Sequence, residues 1–242
     1  MTEISASRSC SKSRPLLSLL ASIGAAALLA VVLLAPSENF AQTPTAEQPR
    51  ATGAARSIHQ LYLDDQTETP AGKPGGVSPV TEKEFKEHGA ARREQARVLL
   101  ARREVKTAED YHDASLLFQH GESADDFLLA HILAVEAVIR GDERSKWMAA
   151  ATLDRYLQAM GKPQVFDTQY PMDPNVPIDP KADQHVAMYK GRTQNPFNNQ
   201  LLPDSVRLDF CVPDLEHQKQ NLATLNSGKY PDRGMVAPGC TR

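Results

Sequence analysis

The chain is poor in most of the features that mark a specialised fold. It has only 3 Cys and 1 Trp in 242 residues and 6% aromatic residues, and its 27 Lys and Arg are balanced by 30 Asp and Glu. Three cysteines without a C-x-x-C pair exclude a disulfide-dense scaffold and a thiolate zinc site. A formal net charge of −3 lacks the basic footprint that nucleic acid requires, so no nucleic-acid partner is expected. No H-E-x-x-H occurs, and the 7 His are scattered, with nothing in their spacing to bring His112 and His120 together. There is no phosphate-cradling Gly-rich loop and no G-x-S-x-G: in His120-Gly121-Glu122-Ser123 the serine reads as a helix cap. Asp173 and Asp179 sit beside prolines and read as turns, not as a calcium loop. The sequence therefore points to no metal and no cofactor.

What stands out instead is one apolar run, residues 16–35, 20 positions without a charge, preceded by Arg8, Lys12 and Arg14 and closed by Pro36. A helix of that length spans about 30 Å, enough to cross a bilayer core, whereas a cleavable signal usually has an apolar stretch of about 7 to 15 residues. The basic flank precedes the run, which keeps the N-terminus cytoplasmic and sends everything after Pro36 across the membrane. Two fates stay open. Length favours a retained single-pass anchor touching the membrane through residues 16–35. The helix-breaking, small-residue stretch 36–42, with Ala41 before a cut, favours a cleaved signal and a secreted or periplasmic product.

No Cys follows the run to carry a lipid. Cys10 stays on the cytoplasmic side, so Cys211 and Cys240 are the two thiols of an oxidising compartment and are expected to pair. Such a bridge closes a 30-residue loop, worth roughly 3 to 4 kcal/mol. The alternative is two unpaired thiols.

Residues 1–41 thus form the basic flank and export segment. Residues 42–80, rich in Pro, Gly, Thr, Glu and Gln, read as a flexible tether in which Ile58, Leu61, Tyr62 and Leu63 are an apolar island, read as a chance cluster over the alternative that it docks on the domain or a partner. The domain proper is residues 81–242. Thr81 with Glu84 is a capping box for a charged helix to about Glu104, with Phe85, Ala96, Leu99 and Leu100 on one side. Its Arg92-Arg93 and Arg102-Arg103 pairs, interleaved with Glu94 and Glu104, read as a solvated face. Thr107 with Asp110 opens the next helix, Ser123 with Asp126 the third and Asp142 the fourth. Gly121, Gly141 and Gly161, spaced 20 and 20 residues apart, read as left-handed C′ positions. Equal helices joined by short turns fold back on one another, predicting a small antiparallel all-α bundle of helical-repeat-like hairpins. The third helix, with Phe127, Leu128, His131, Ile132, Ala134, Val135, Val138 and Ile139 around most of its circumference, is the predicted core helix.

Prolines then interrupt residues 162–212 too often for a long helix or a central strand. A connection this long is expected to pack on the bundle, through residues 163–170, with the Asn- and Gln-rich centre 194–200 left mobile. A last helix is predicted over 213–226, closed near Gly228.

The candidate site is polar. His120 ends a helix, where an imidazole caps carbonyls or meets the helix dipole, and His131 lies in an apolar stripe as a buried, bonded histidine. Asp154 shares a face with Trp147, Ala150 and Leu157, so its carboxylate needs donors, for which Gln164, Thr168 and Gln169 are placed. Arg155 is expected to reach backbone carbonyls or a carboxylate on the neighbouring helix. These seven residues read either as a structural clasp of loop on bundle or as a ligand or catalytic pocket.

Phe118-Gln119-His120-Gly121, Ala130-His131, Trp147-Met148-Ala149-Ala150, Asp154-Arg155-Tyr156-Leu157, Gly161-Lys162-Pro163-Gln164 and Thr168-Gln169 together resemble an uncharacterised bacterial and fungal domain family. Its pattern is F-Q-H-G, A-H-x-L-A, W-L-A-A, D-R-x-L, G-x-P-Q and G-T-Q, with Asp167 standing here in place of the last glycine. The resemblance covers about 60 residues and implies no activity. More loosely, Ala130, Ala134, Ala137, Gly141 and Trp147 are similar to one unit of Sel1-like or tetratricopeptide repeats, which are interaction scaffolds. The function expected is an exported or membrane-anchored interaction module with a protein partner in the cell envelope. The rival is an envelope enzyme or ligand-binding protein using His120, His131, Asp154 and Arg155.

Overall fold

The computed structural model describes residues 56–69, 79–177, 189–231 and 235–240. The apolar run 16–35 and Cys10 lie outside them. Among the described residues no helix is long and apolar enough to cross a membrane. Seven helices and no strand are present there: α1 (Ile58–Glu68), α2 (Glu82–Ala101), α3 (Ala108–Gln119), α4 (Ala124–Ile139), α5 (Ser145–Ala159), α6 (Asp204–Asp209) and α7 (Leu215–Asn226). The chain is an all-α helical array, as its glycine and cap spacing predicts.

The local chemistry explains the boundaries. Thr81 with Glu84 and Thr107 with Asp110 form reciprocal capping boxes at α2 and α3, and Ser123 accepts from the Asp126 N–H at α4. Gly141 and Gly161 adopt φ of 99° and 67°, the left-handed turn that ends a helix without Cβ strain. Gly121 differs from expectation: it has no positive φ, and a Cβ there would lie 2.4 Å from the Asp126 Cβ. That glycine serves close approach between the α3–α4 turn and α4, not turn handedness. The start of α5 also differs. Arg144 precedes Ser145 without a side-chain cap, and Asp142 instead accepts from the Arg144 backbone and guanidinium.

α4 packs chiefly against α3 on one side and α5 on the other. Leu117, Phe118, Ala130 and Leu133 join Leu99, Ile58 and Leu61 in one core cluster. Ala134, Trp147, Met148, Ala149, Ala150 and Ala151 join Phe166 and Val212 in a second. Each large apolar side chain buried there contributes about 1.5 to 3 kcal/mol. The circumference of α4 is not covered throughout, however: Ile132 and Ile139 are 54% and 73% exposed. A helix flanked by two neighbours buries two flanks and leaves its outer face in water.

Three more expectations are corrected. The apolar island of the supposed tether is α1, which packs mainly on α3, with Ile58, Leu61 and Asp65 on one buried stripe. Spacings of three and seven put these residues on one helical face, and Ser57 caps the helix by accepting from the Gln60 N–H. Residues 42–55 and 70–78 of that expected tether lie outside the described residues. Arg92 and Arg93 are buried, not solvated, because the docked α1 and the start of α4 bring carboxylates to them. Gln194, expected in a mobile centre, is buried under the segment that follows α5.

Candidate functional site

The Pro-rich segment is fastened by one carboxylate. Asp154, on α5, is fully buried and takes four hydrogen bonds. Its Oδ1 accepts from the N–H groups of Val165 (2.8 Å) and Phe166 (3.0 Å), and Oδ2 from the N–H (3.0 Å) and hydroxyl (2.7 Å) of Thr168. Burial pushes this carboxyl upward from its ordinary pKa, and the four donors oppose that. Around it sits a ring of amides. Gln164 donates to the carbonyls of Gln169 and Gln194 and accepts from the Gln169 N–H. Gln169 in turn donates to the carbonyl of Ala151 on α5. Gln218, on α7, donates to the Phe166 and Pro213 carbonyls and accepts from Gln194, which also donates to the Asp167 carbonyl.

Arg207 on α6, fully buried, donates to the Phe166 carbonyl at 2.9 Å and lies 5.2 Å from the Phe197 ring. The Cys211–Cys240 disulfide completes the fastening, with Cα atoms 5.7 Å apart.

Asp167 takes the left-handed conformation, φ 68°, that a glycine adopts without strain. Its Oδ1 is buried with no hydrogen-bond partner. Burial, reinforced by the Asp154 carboxylate and opposed by Arg207, pushes its pKa up to about 8.

A second polar cluster holds α1. Asp65, almost fully buried, meets His120 Nδ1 at 2.7 Å and Arg92 at 3.4 Å, and Arg92 also pairs with Glu68 at 2.8 Å. Arg93 donates to the His120 carbonyl. Further along α1, His59 Nδ1 lies 2.7 Å from Asp113, whose carboxyl burial pushes up to about 6 against the pull of His59.

Two cavities adjoin these clusters and share Gln119 and Trp147. One, of about 420 Å³, is lined by Tyr62, His112, His120 and Arg144. The other, of about 440 Å³, is lined by Arg155, Thr168, Gln169, Tyr170 and Arg192. The seven predicted residues are thus divided. His120 lines the first cavity and pairs with Asp65. Arg155, Thr168 and Gln169 line the second. His131 shares its Nδ1 with the Ala149 carbonyl at 2.8 Å and, like Asp154 and Gln164, lines neither. Arg155 departs from expectation, since among the described residues it reaches no carbonyl or carboxylate and instead lies 5.9 Å from the Phe127 ring. His112 and His120 do line one cavity, although nothing in their spacing announced it.

Sequence reasoning missed Asp65, Arg92, Arg207, Gln194 and Gln218. Only Asp65 left a local signal, its place on the α1 stripe. The other four meet their partners across tertiary contacts that no local pattern encodes.

Chemically, Asp154 has every strong acceptor position occupied by the loop and serves as a fastening. Beside the first cavity the buried Ser145 hydroxyl meets His112 Nδ1 at 2.8 Å, and the Asp142 carboxylate lies 3.6 Å from the same ring nitrogen. No family model, curated protein or solved structure matches this chain.

Proposed function

We propose that the protein is an exported, non-catalytic interaction module that binds a protein partner through the outer face of α4. One observation carries this: Ile132 and Ile139, seven residues apart on α4, stand 54% and 73% exposed, with half-buried Leu128 four residues before the first of them. A stripe of this kind on a helix already packed on both flanks suits docking against a complementary apolar surface. Export is supported by the basic-then-apolar start of the chain and by the Cys211–Cys240 bridge, which needs an oxidising compartment. The division of His120, His131, Asp154 and Arg155 among separate contacts favours binding over catalysis.

The test is crosslinked capture from native envelope extract with the tagged full chain, comparing wild type, Ile132→Glu with Ile139→Glu, and Leu63→Glu as a control on another exposed apolar residue. A partner recovered by wild type and by the control but lost with the α4 variant is the expected result. A partner recovered equally by all three contradicts the α4 assignment.

A further inference from the structure

The second cavity contains a charge without an answer. Arg155 projects from α5 into its wall, and among the described residues its guanidinium makes no hydrogen bond and no ion pair; its Nε is buried with no partner. The carboxylate next to it in sequence, Asp154, is turned to the loop and fully engaged. Arg192 adds a second cation to the lining and is held by donating to the Tyr170 carbonyl at 2.9 Å. Among the described residues, no Asp or Glu lines this cavity. Arg155 is half-buried, with Nε shut from solvent and the Phe127 ring 5.9 Å away, and a cation held there without a counter-ion gains when an anion enters. Burial also lowers the pKa of Arg155, with no acidic neighbour to oppose it.

A second orphan faces the same space. Gln119 Oε1 is buried with no donor, on the wall the two cavities share. Trp147 and Tyr170 supply flat apolar surface between these polar groups. We propose that this cavity binds a carboxylate ligand, its two oxygens on the Arg155 fork and a donor group of the same ligand on Gln119 Oε1. A planar five-donor fork matches the planar two-oxygen head of a carboxylate. An apolar or aromatic remainder of the ligand rests on Trp147 and Tyr170. The volume of about 440 Å³ falls in the range of small-molecule sites. The carboxylate belongs either to a free acid carrying an N–H or to the C-terminus of a peptide, which presents the same two groups. This site is separate from the α4 face, and each stands or falls alone.

The experiment is calorimetric titration of the full chain with N-acetylphenylalanine, its amide, a peptide ending in phenylalanine with free or amidated C-terminus, and inorganic phosphate. The acids are expected to bind and the amides to bind at least about tenfold more weakly, the loss of a charge-assisted hydrogen bond. Stronger binding of the peptide acid than of the free acid identifies a chain terminus as the source; the reverse identifies a small acid. Arg155→Met is expected to abolish binding while leaving the unliganded melting temperature unchanged or raised, since it removes an unpaired charge. Gln119→Ala is expected to weaken binding of the acids without affecting the acid-over-amide preference. Equal binding of acid and amide, wild-type binding by Arg155→Met, binding of phosphate alone, or no binding of any probe at millimolar concentration overturns the proposal.

Discussion

The helices α3 to α5 carry an added segment on either side, and the two are fastened by different chemistry. On the N-terminal side α1 is held by charges: Asp65 and Glu68 against Arg92, Asp65 against His120, and Asp113 against His59. On the C-terminal side the Pro-rich segment is held by neutral amides from Gln164, Gln194 and Gln218, by backbone N–H groups on one carboxylate, and by a disulfide. Amide rings and backbone donors fix geometry and respond little to salt. Histidine–carboxylate pairs depend on protonation and, where exposed, on ionic strength. The C-terminal segment is therefore expected to respond little to pH and salt, and α1, which also buries Ile58 and Leu61 in the first core cluster, to respond more.

This contrast can be attacked from its strongest point downward. Asp154→Ala strands four donors, three of them buried, and is expected to cost about 4 kcal/mol in denaturant unfolding. Replacing Cys211 and Cys240 together by Ala should cost roughly 3 to 4 kcal/mol by the same measurement, the loop entropy of 30 residues. Asp65→Asn leaves Arg92 and His120 short of their shared carboxylate, and a loss of about 2 to 3 kcal/mol is expected. In that variant α1 should become cleavable by protease before the rest of the array unfolds, and an unchanged cleavage pattern would deny that Asp65 holds α1 in place.

Asp167→Asn is set apart by a stabilising direction and a distinctive pH profile. The folded protein holds the Asp167 proton up to about pH 8, whereas the unfolded chain releases it near the ordinary value of 3.8. The folded state thus binds more protons through this window, and wild-type stability falls as pH rises from about 4 to about 8. The Asn variant lacks that slope. It should match wild type near pH 4 and exceed it by a margin that grows up to about pH 8, measured as chemical unfolding across pH. Asn also tolerates the left-handed φ at this position.

How much of this was legible depended on whether the signal was local. The capping box at Thr81, the N-cap at Thr107, the left-handed glycines 141 and 161, and the need of Asp154 for donors are written in short windows, and the structure has them where the sequence put them. The burial of Arg92 and Arg93 was not legible, because it depends on α1 returning across the array with Asp65 and Glu68. The role of Gln194 was hidden for a similar reason: an Asn- and Gln-rich stretch reads as solvent-loving until a partner such as Gln218 is brought to it. Asp167 shows the reverse case. A non-glycine residue occupies a glycine conformation, and the resemblance pattern, with Gly at that position, marked the place though not the strain.

The claim on which the rest depends is that the segment after α5 is a fixed part of the fold, held by Asp154, and not a mobile cover. Native-state hydrogen exchange of the Val165, Phe166 and Thr168 amides tests it most directly, in wild type and in Asp154→Ala. The account predicts core-level protection of these three amides in wild type. In the variant they should exchange far faster while α4 retains its protection. Rapid exchange in wild type, or protection that survives the loss of the carboxylate, would contradict it.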